Sequence, residues 1–260
     1  MADNALIGYS GFVGSNIKTK FNFTKLYNSS NIEDIEYLDF DTVVCAGSYG
    51  YKWKANKYPQ EDWQSIQRLI DSIQSIKAKR FILISTIDVY VKPNGVNESS
   101  VIDIDSLTPY GKHRRALEIF VERRFNSTIL RLPTIFGEGM RKGVVYDLMH
   151  NQYIDSLTKN SEYQYYFLDH IWEDIEKATK NDISLLNIAT EPITIGELNA
   201  CIFHNYDLKQ GDDSSPKYNM FTEFSSYWGK SSNYLYNKMQ QLNDIRSFKD
   251  RVENADELES

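Results

Sequence analysis

Apolar and polar positions change period along the first thirty residues, and the changes mark out a strand, a turn and a helix. Asn4 to Ile7 reads as a short buried strand, Gly8 to Gly14 as a glycine turn, and Phe12 to Lys20 as a helix. A second short strand is expected at Thr24 to Tyr27, closed by the polar turn Asn28-Ser29-Ser30-Asn31. Asp41 to Gly47 and Phe81 to Ser85 carry the continuous apolar runs of strands covered on both faces. Between them, after an aromatic and basic stretch from Tyr49 to Pro59, Trp63, Ile66, Leu69, Ile73 and Ile76 recur at helical spacing. Pro109, tolerated in a first helical turn, opens a helix running through Leu117, Phe120 and Val121. Thr128 to Leu132 is a strand stopped by Pro133.

The glycine turn carries the first chemical signal. Gly8, Gly11 and Gly14 are spaced G-x-x-G-x-x-G between strand and helix, with Tyr9, Ser10, Phe12 and Val13 filling the loop. Backbone without Cβ atoms can approach a pyrophosphate, and the helix start turns its N–H groups toward that charge, so a dinucleotide site is expected. An acidic residue after the second strand would take the ribose hydroxyls of NAD and repel a 2′-phosphate. Asn28, Ser29 and Ser30 stand there instead, which favours NADP (NADPH) over NAD; a solvated turn is the alternative reading.

Strands that alternate with helices need crossover connections. The predicted class is therefore α/β: a Rossmann doubly wound parallel sheet with a small C-terminal α/β substrate-binding part. Residues 1–136 are expected to form the NAD(P)-binding domain, and 137–260 a small substrate-binding region with some returning Rossmann elements. Beyond Gly137 the chain is richer in Tyr, Asn and Lys. Helices are expected at Val145 to Gln152, at Trp172 to Thr179 and from Ile195, with a strand at Leu185 to Ile188. The acids between Asp169 and Asp174 read as a solvated face, and the tail Glu253 to Ser260 as frayed.

Composition narrows the function further. A net charge of -7 over 260 residues argues against a nucleic-acid or anionic-membrane binder, since both need a basic footprint. With no leader and no apolar run of spanning length, a cytoplasmic protein is expected. Cys45 and Cys201 are too few for a disulfide framework and read as reduced packing residues. His113, His150, His170 and His204 lack metal-ligand spacing, so no metal is expected.

Three further segments, F-I-L-I-S-T-I-D-V-Y at 81–90, T-P-Y-G-K-H-R at 108–114 and R-L-P-T-I-F-G at 131–137, follow the glycine loop in order. Together they resemble the extended short-chain dehydrogenase/reductase family, in its branch of nucleotide-sugar epimerases, dehydratases and ketoreductases. The resemblance implies that Thr86 bonds the reacting oxygen and that Tyr110 gives or takes its proton. It also implies that Ala46 and Gly47 let the cofactor cross the sheet edge, with Ile84 and Ser85 beside it. Leu132, Pro133 and Thr134 would pass near the carboxamide, and pairing through the helices after Asp62 and Tyr110 would give a homodimer. The family places a lysine four residues after the tyrosine, and this chain has Arg114. Arginine keeps a permanent charge one helical turn from Tyr110 but presents a planar, bulkier fork.

Dehydratases of that family carry an Asp-Glu pair after the threonine, where this chain has Ile87-Asp88. The expected activity is NAD(P)H-dependent reduction of a keto group on a nucleotide-activated sugar, for glycan precursor synthesis. An epimerase of the same family and a non-catalytic NAD(P)-binding sensor or scaffold are the alternatives. The substrate is expected between the Rossmann edge and the segment after Gly137. Lys52, Trp53, Lys54 and Asn56 suit a nucleotide diphosphate, or equally a surface loop around a buried Trp; Arg141 and Lys142 suit the diphosphate or are solvated charges.

Overall fold

Short apolar runs flanked by turns become strands, and the longer periodic runs become the helices that cover them. In the computed structural model, which describes residues 3–204 and 206–259, one unit comprises Met1–Lys92, Glu98–Leu132 and His170–Asn187. It contains β1 (Asn4–Ile7), α1 (Phe12–Lys18), β2 (Lys25–Tyr27), β3 (Asp39–Cys45), α2 (Lys52–Lys57), α3 (Pro59–Ile73) and β4 (Lys77–Thr86). It continues with α4 (Pro109–Arg124), β5 (Ser127–Leu132), α5 (Ile171–Lys180) and β6 (Leu185–Asn187). These strands form a parallel sheet in the order β6-β5-β4-β3-β1-β2, the predicted α/β class. Ala5, Leu6, Val43, Val44, Phe81 and Ile129 are fully buried, as expected of parallel strands covered on both faces.

Several boundaries differ from the sequence pattern. α1 ends at Lys18, and the aromatic and basic stretch forms α2 and the start of α3, with Pro59 in the first turn. Ile66, Leu69 and Ile73 face the core, whereas Trp63 is partly exposed and Ile76 lies beyond the helix end. Residues 28–38 hold only the 3-10 turn Ile32–Ile35, so a single strand, β2, lies outside β1. The acids of 169–174 are not all solvated: Asp174 lies on the buried face of α5.

Cys45 is buried at the end of β3, and burial pushes its thiol up to about 11. Cys201 is not a packing residue; it is exposed, in the π-helical turn Asn199–Phe203. A thiol reagent at neutral pH is therefore expected to modify one cysteine at once and the second only after denaturation, because the thiolate is the reactive form. Prompt reaction of both in the native protein would contradict the burial of Cys45.

The other unit comprises Pro93–Asn97, Pro133–Asp169 and Ile188–Ser260. Its core gathers Phe136, Tyr165, Phe167, Leu198, Ile245 and Phe248, with Phe136 and Phe167 stacked at 4.8 Å. Gln164 ties three segments together: its amide donates to the carbonyls of Thr190 and Met220, and its oxygen accepts the Met220 N–H at 2.7 Å. The acidic tail is helical from Glu253 to Glu259, within the helix Lys238–Glu259, and Ser260 lies outside the described residues. Phe248, on that helix, is buried in this core, and Arg251 bonds Asp169 at 3.1 Å.

Candidate active site

The carboxyl ends of β1 and β3 lie side by side, with Ile7 in register with Cys45. β2 leaves β1 on one side and β3 on the other, which makes this end the switch point where open α/β sheets hold ligands. Gly8 has a φ of +84°, and a Cβ there would lie 2.3 Å from the Ala46 carbonyl oxygen. A Cβ on Gly14 would lie 2.0 Å from the Gly8 oxygen, so only glycine permits this turn. Gly8 N–H donates to Tyr27 O at 2.7 Å, and Gly11 N–H to Gly8 O at 2.9 Å. Gly11 then caps α1 with no side chain to occupy the first-turn amides. Asn28 donates to Ser10 Oγ at 3.3 Å and accepts from the Ser30 hydroxyl at 2.6 Å, so the turn after β2 lies against the loop; Ser29 is exposed.

Tyr110, Arg114 and Glu118 follow one another at four-residue spacing, which aligns them along one stripe of α4. The helix approaches the end of β4 closely: a Cβ on Gly111 would lie 2.2 Å from the Asp88 oxygen. This closeness brings the Tyr110 phenol near enough to the Thr86 side chain for that side chain to lower the phenol's pKa. The Thr86 hydroxyl in turn accepts from the Asp88 N–H at 3.2 Å. Asn56 accepts the Tyr110 N–H at 3.0 Å and so satisfies an amide at the start of α4.

The Arg114 guanidinium lies over the Tyr110 ring, 4.0 Å from its centroid. Its Nη1 donates to the Asp62 carboxylate and its Nη2 to the Tyr49 carbonyl, the latter at 2.5 Å. His113 Nδ1 lies 2.7 Å from the same Asp62 oxygen, and Lys52 Nζ is 2.6 Å from Asp88. Burial pushes the Tyr110 phenol above its ordinary value of 10.0. Arg114, the Thr86 side chain and Lys52 pull it back, while Asp88 adds to the rise, and the net result is upward. The phenol is accordingly protonated at neutral pH.

Among the described residues, Arg114 Nε is buried without a hydrogen-bond partner. The bare glycine turn and the switch-point geometry fit a dinucleotide's pyrophosphate, and the unsatisfied Arg114 donor fits a polar ligand group.

Thr86, Tyr110 and Arg114 thus meet at one place. The other candidates are distributed more widely. Lys52 binds Asp88, Lys54 lies 3.7 Å from Glu61, Trp53 is 63% exposed rather than buried, and Asn56 serves α4. Ile84 and Ser85 end β4, where Ile84 is buried and Ser85 Oγ donates to Glu118. Leu132 closes β5, while Pro133 and Thr134 open the other unit, where Thr134 N–H donates to Gln164 O at 3.1 Å. Arg141 and Lys142 are exposed in the turn before the helix Val144–Met149.

Sequence reasoning missed Asp62 and Asp88. An acid in a first helical turn is favoured by the helix dipole alone, which gave Asp62 an ordinary explanation.

Residues 5–164 match the model of the NAD dependent epimerase/dehydratase family. No curated protein sequence matches the chain significantly. Among solved structures the chain is similar to UDP-glucose 4-epimerase from Thermotoga maritima, with TM-score 0.74 and 15% identity over 97% of this chain and 99% of that one. It is also similar to TunA, an NAD-dependent NDP-hexosamine 5,6-dehydratase, with TM-score 0.73 and 12% identity over 98% of each chain. RMD from Pseudomonas aeruginosa, solved with NADPH, gives TM-score 0.73 and 14% identity over 96% of this chain and 99% of that one.

Proposed function

Because this chain belongs to the NAD-dependent epimerase/dehydratase family, we propose that it is an NAD(P)H-dependent reductase of a keto group on a nucleotide-activated sugar or sugar derivative. The observation that carries this reading is the convergence of Tyr110, on the helix that packs closely against the turn after Thr86, with Arg114, whose guanidinium lies 4.0 Å from the phenol ring centroid. A reduction needs an acid that delivers a proton to the nascent alkoxide, whereas reactions that begin by removing a hydroxyl proton need the phenolate.

Bound reduced nicotinamide supplies the hydride. Thr86 donates a hydrogen bond to the carbonyl oxygen and orients it, and Tyr110 passes its proton to that oxygen as charge develops. Arg114, fixed on the ring face, stabilises the phenolate that remains. Gly8 to Gly14 would hold the pyrophosphate, and Arg114 would lie at the nicotinamide end beside Tyr110. Asn28, Ser29 and Ser30 offer neutral donors and no carboxylate to the ribose, which supports NADP over NAD. The exposed Trp53 on α2 offers an indole face to the nucleotide of the substrate, while Lys52 beside it is paired with Asp88. Dehydration is disfavoured because Ile87 is buried and Asp88 is held by Lys52, so no Asp-Glu pair follows Thr86.

The test is a panel of nucleotide-linked keto sugars offered with NADPH or NADH, followed by nicotinamide absorbance. Cofactor oxidation with at least one sugar supports the reading. A protein that binds cofactor yet oxidises none overturns it, and interconversion of sugars without net consumption identifies an epimerase. Tighter binding of NADH than NADPH in a fluorescence titration would remove the NADP preference.

A further inference from the structure

Asp62 is a charged residue that the fold has buried, with 7% of its side chain exposed, in the first turn of α3. One of its oxygens meets both Arg114 Nη1 and His113 Nδ1. Arg114 is itself only 3% exposed, and an unpaired buried cation would be strongly destabilising. Position is as important as charge here. A guanidinium is a planar fork, and its orientation is set by the acceptors around its edge. The Asp62 carboxylate and the Tyr49 carbonyl occupy two of those edge positions, and the Tyr110 carbonyl lies 3.4 Å from Nη1. With its edge held in this way, the guanidinium presents its face to the phenol ring at 4.0 Å.

We propose that Asp62 is a positioning residue, clamping Arg114 face-on against Tyr110 so that an arginine supplies the charge the proton-transfer step requires. The proposal rests on the reductase reading for its catalytic meaning, but the clamp itself is a property of the free protein. The groups acting on the phenol are Arg114 from α4, Thr86 from the end of β4, Asp88 from the 3-10 turn that follows it, and Lys52 from α2. Asp62 is not among them, so it acts on Tyr110 through Arg114.

That indirectness gives the experiment a definite sign. The Tyr110 phenol is followed by NMR of tyrosine labelled at the ring carbon bearing the hydroxyl, its signal assigned by its absence in Tyr110→Phe. Asp62→Asn is expected to move the alkaline titration of Tyr110 upward by about one pH unit, because the released guanidinium no longer offsets burial. Arg114→Met should move it in the same direction, and the double variant should match Arg114→Met alone, since the two residues act as a unit. Asp62→Glu keeps the counter-charge, so it guards against simple unfolding, yet shifts the fork and should also raise the titration. If the single variants leave the titration at the wild-type position or lower it, or if their effects add, Asp62 is only a buried counter-ion and the proposal fails. No substrate is involved, so failure of the keto-sugar panel with the titration shift intact rejects the reductase reading and leaves the clamp standing. Where turnover is found, Asp62→Asn should lower kcat about tenfold with KM nearly unchanged.

Discussion

Tyr110→Phe is expected to lower kcat for keto-sugar reduction by about 10²–10⁴-fold while leaving cofactor binding intact. The phenylalanine ring retains the face on which Arg114 rests 4.0 Å away, so the guanidinium keeps its place. What disappears is the hydroxyl, and with it the proton and the interaction with Thr86. Steady-state kinetics and a cofactor fluorescence titration check the two halves of the prediction. A variant within about threefold of wild-type turnover would remove Tyr110 from the proton-transfer step, since such a loss is below any general-acid contribution. The wild-type pH profile should agree with this assignment. Because burial raises the phenol, the proton donor is fully present through neutral pH, and reduction should fall only as the pH rises past the ordinary tyrosine range.

Glu118→Ala is expected to cost about 3–5 kcal/mol, a fall in Tm of roughly 6–20 °C. Strand register places Ser85, Arg131 and Asn187 in one row across β4, β5 and β6. Glu118 reaches that row from α4 and receives Arg131 Nε at 3.0 Å, Arg131 Nη2 at 2.7 Å and Ser85 Oγ at 2.5 Å. Tyr90 completes the network, accepting from Arg131 Nη1 at 2.7 Å and pairing with Asn187. Glu118 is wholly buried and Arg131 nearly so, which leaves Arg131 uncompensated once the carboxylate is gone. Arg115 Nη1 bonds both Glu118, at 2.8 Å, and the exposed Glu122, at 2.9 Å; Glu122 is the control, and Glu122→Ala should cost no more than about 1 kcal/mol. Equal thermal shifts for the two variants would show that the buried network contributes nothing specific.

α4 illustrates how much of this was legible beforehand. Its start at Pro109 followed from local chemistry, and Leu117 and Val121 marked its buried side. Yet Tyr110, Gly111, Arg114 and Glu118 are buried on that helix too, and no apolar periodicity could reveal them. Each is buried for a separate reason: a hydroxyl partner, a close backbone approach, an ion pair with α3, and a row of strand residues. α3 shows the same limit from the other side, because Trp63 fits the apolar stripe and yet is partly exposed. The helix from Lys238 to Glu259 escaped notice because its tail is acidic, although Ile245 and Phe248 on it lie in the core of its unit.

The sequence by itself determined the elements whose causes are local: β1, the glycine turn that excludes a Cβ, the proline-led helix, and the four-residue spacing of Tyr110 and Arg114. Only tertiary structure decided that Asp62 meets Arg114 across 52 positions, that Asn56 serves α4 across 54, and that Asp88 comes under Lys52. Periodicity records which face of an element is apolar, and it holds no information about which distant charge will be buried against it. That choice is made when α3 and α4 pack together, since a guanidinium removed from water must find its counter-charge on whatever helix lies beside it.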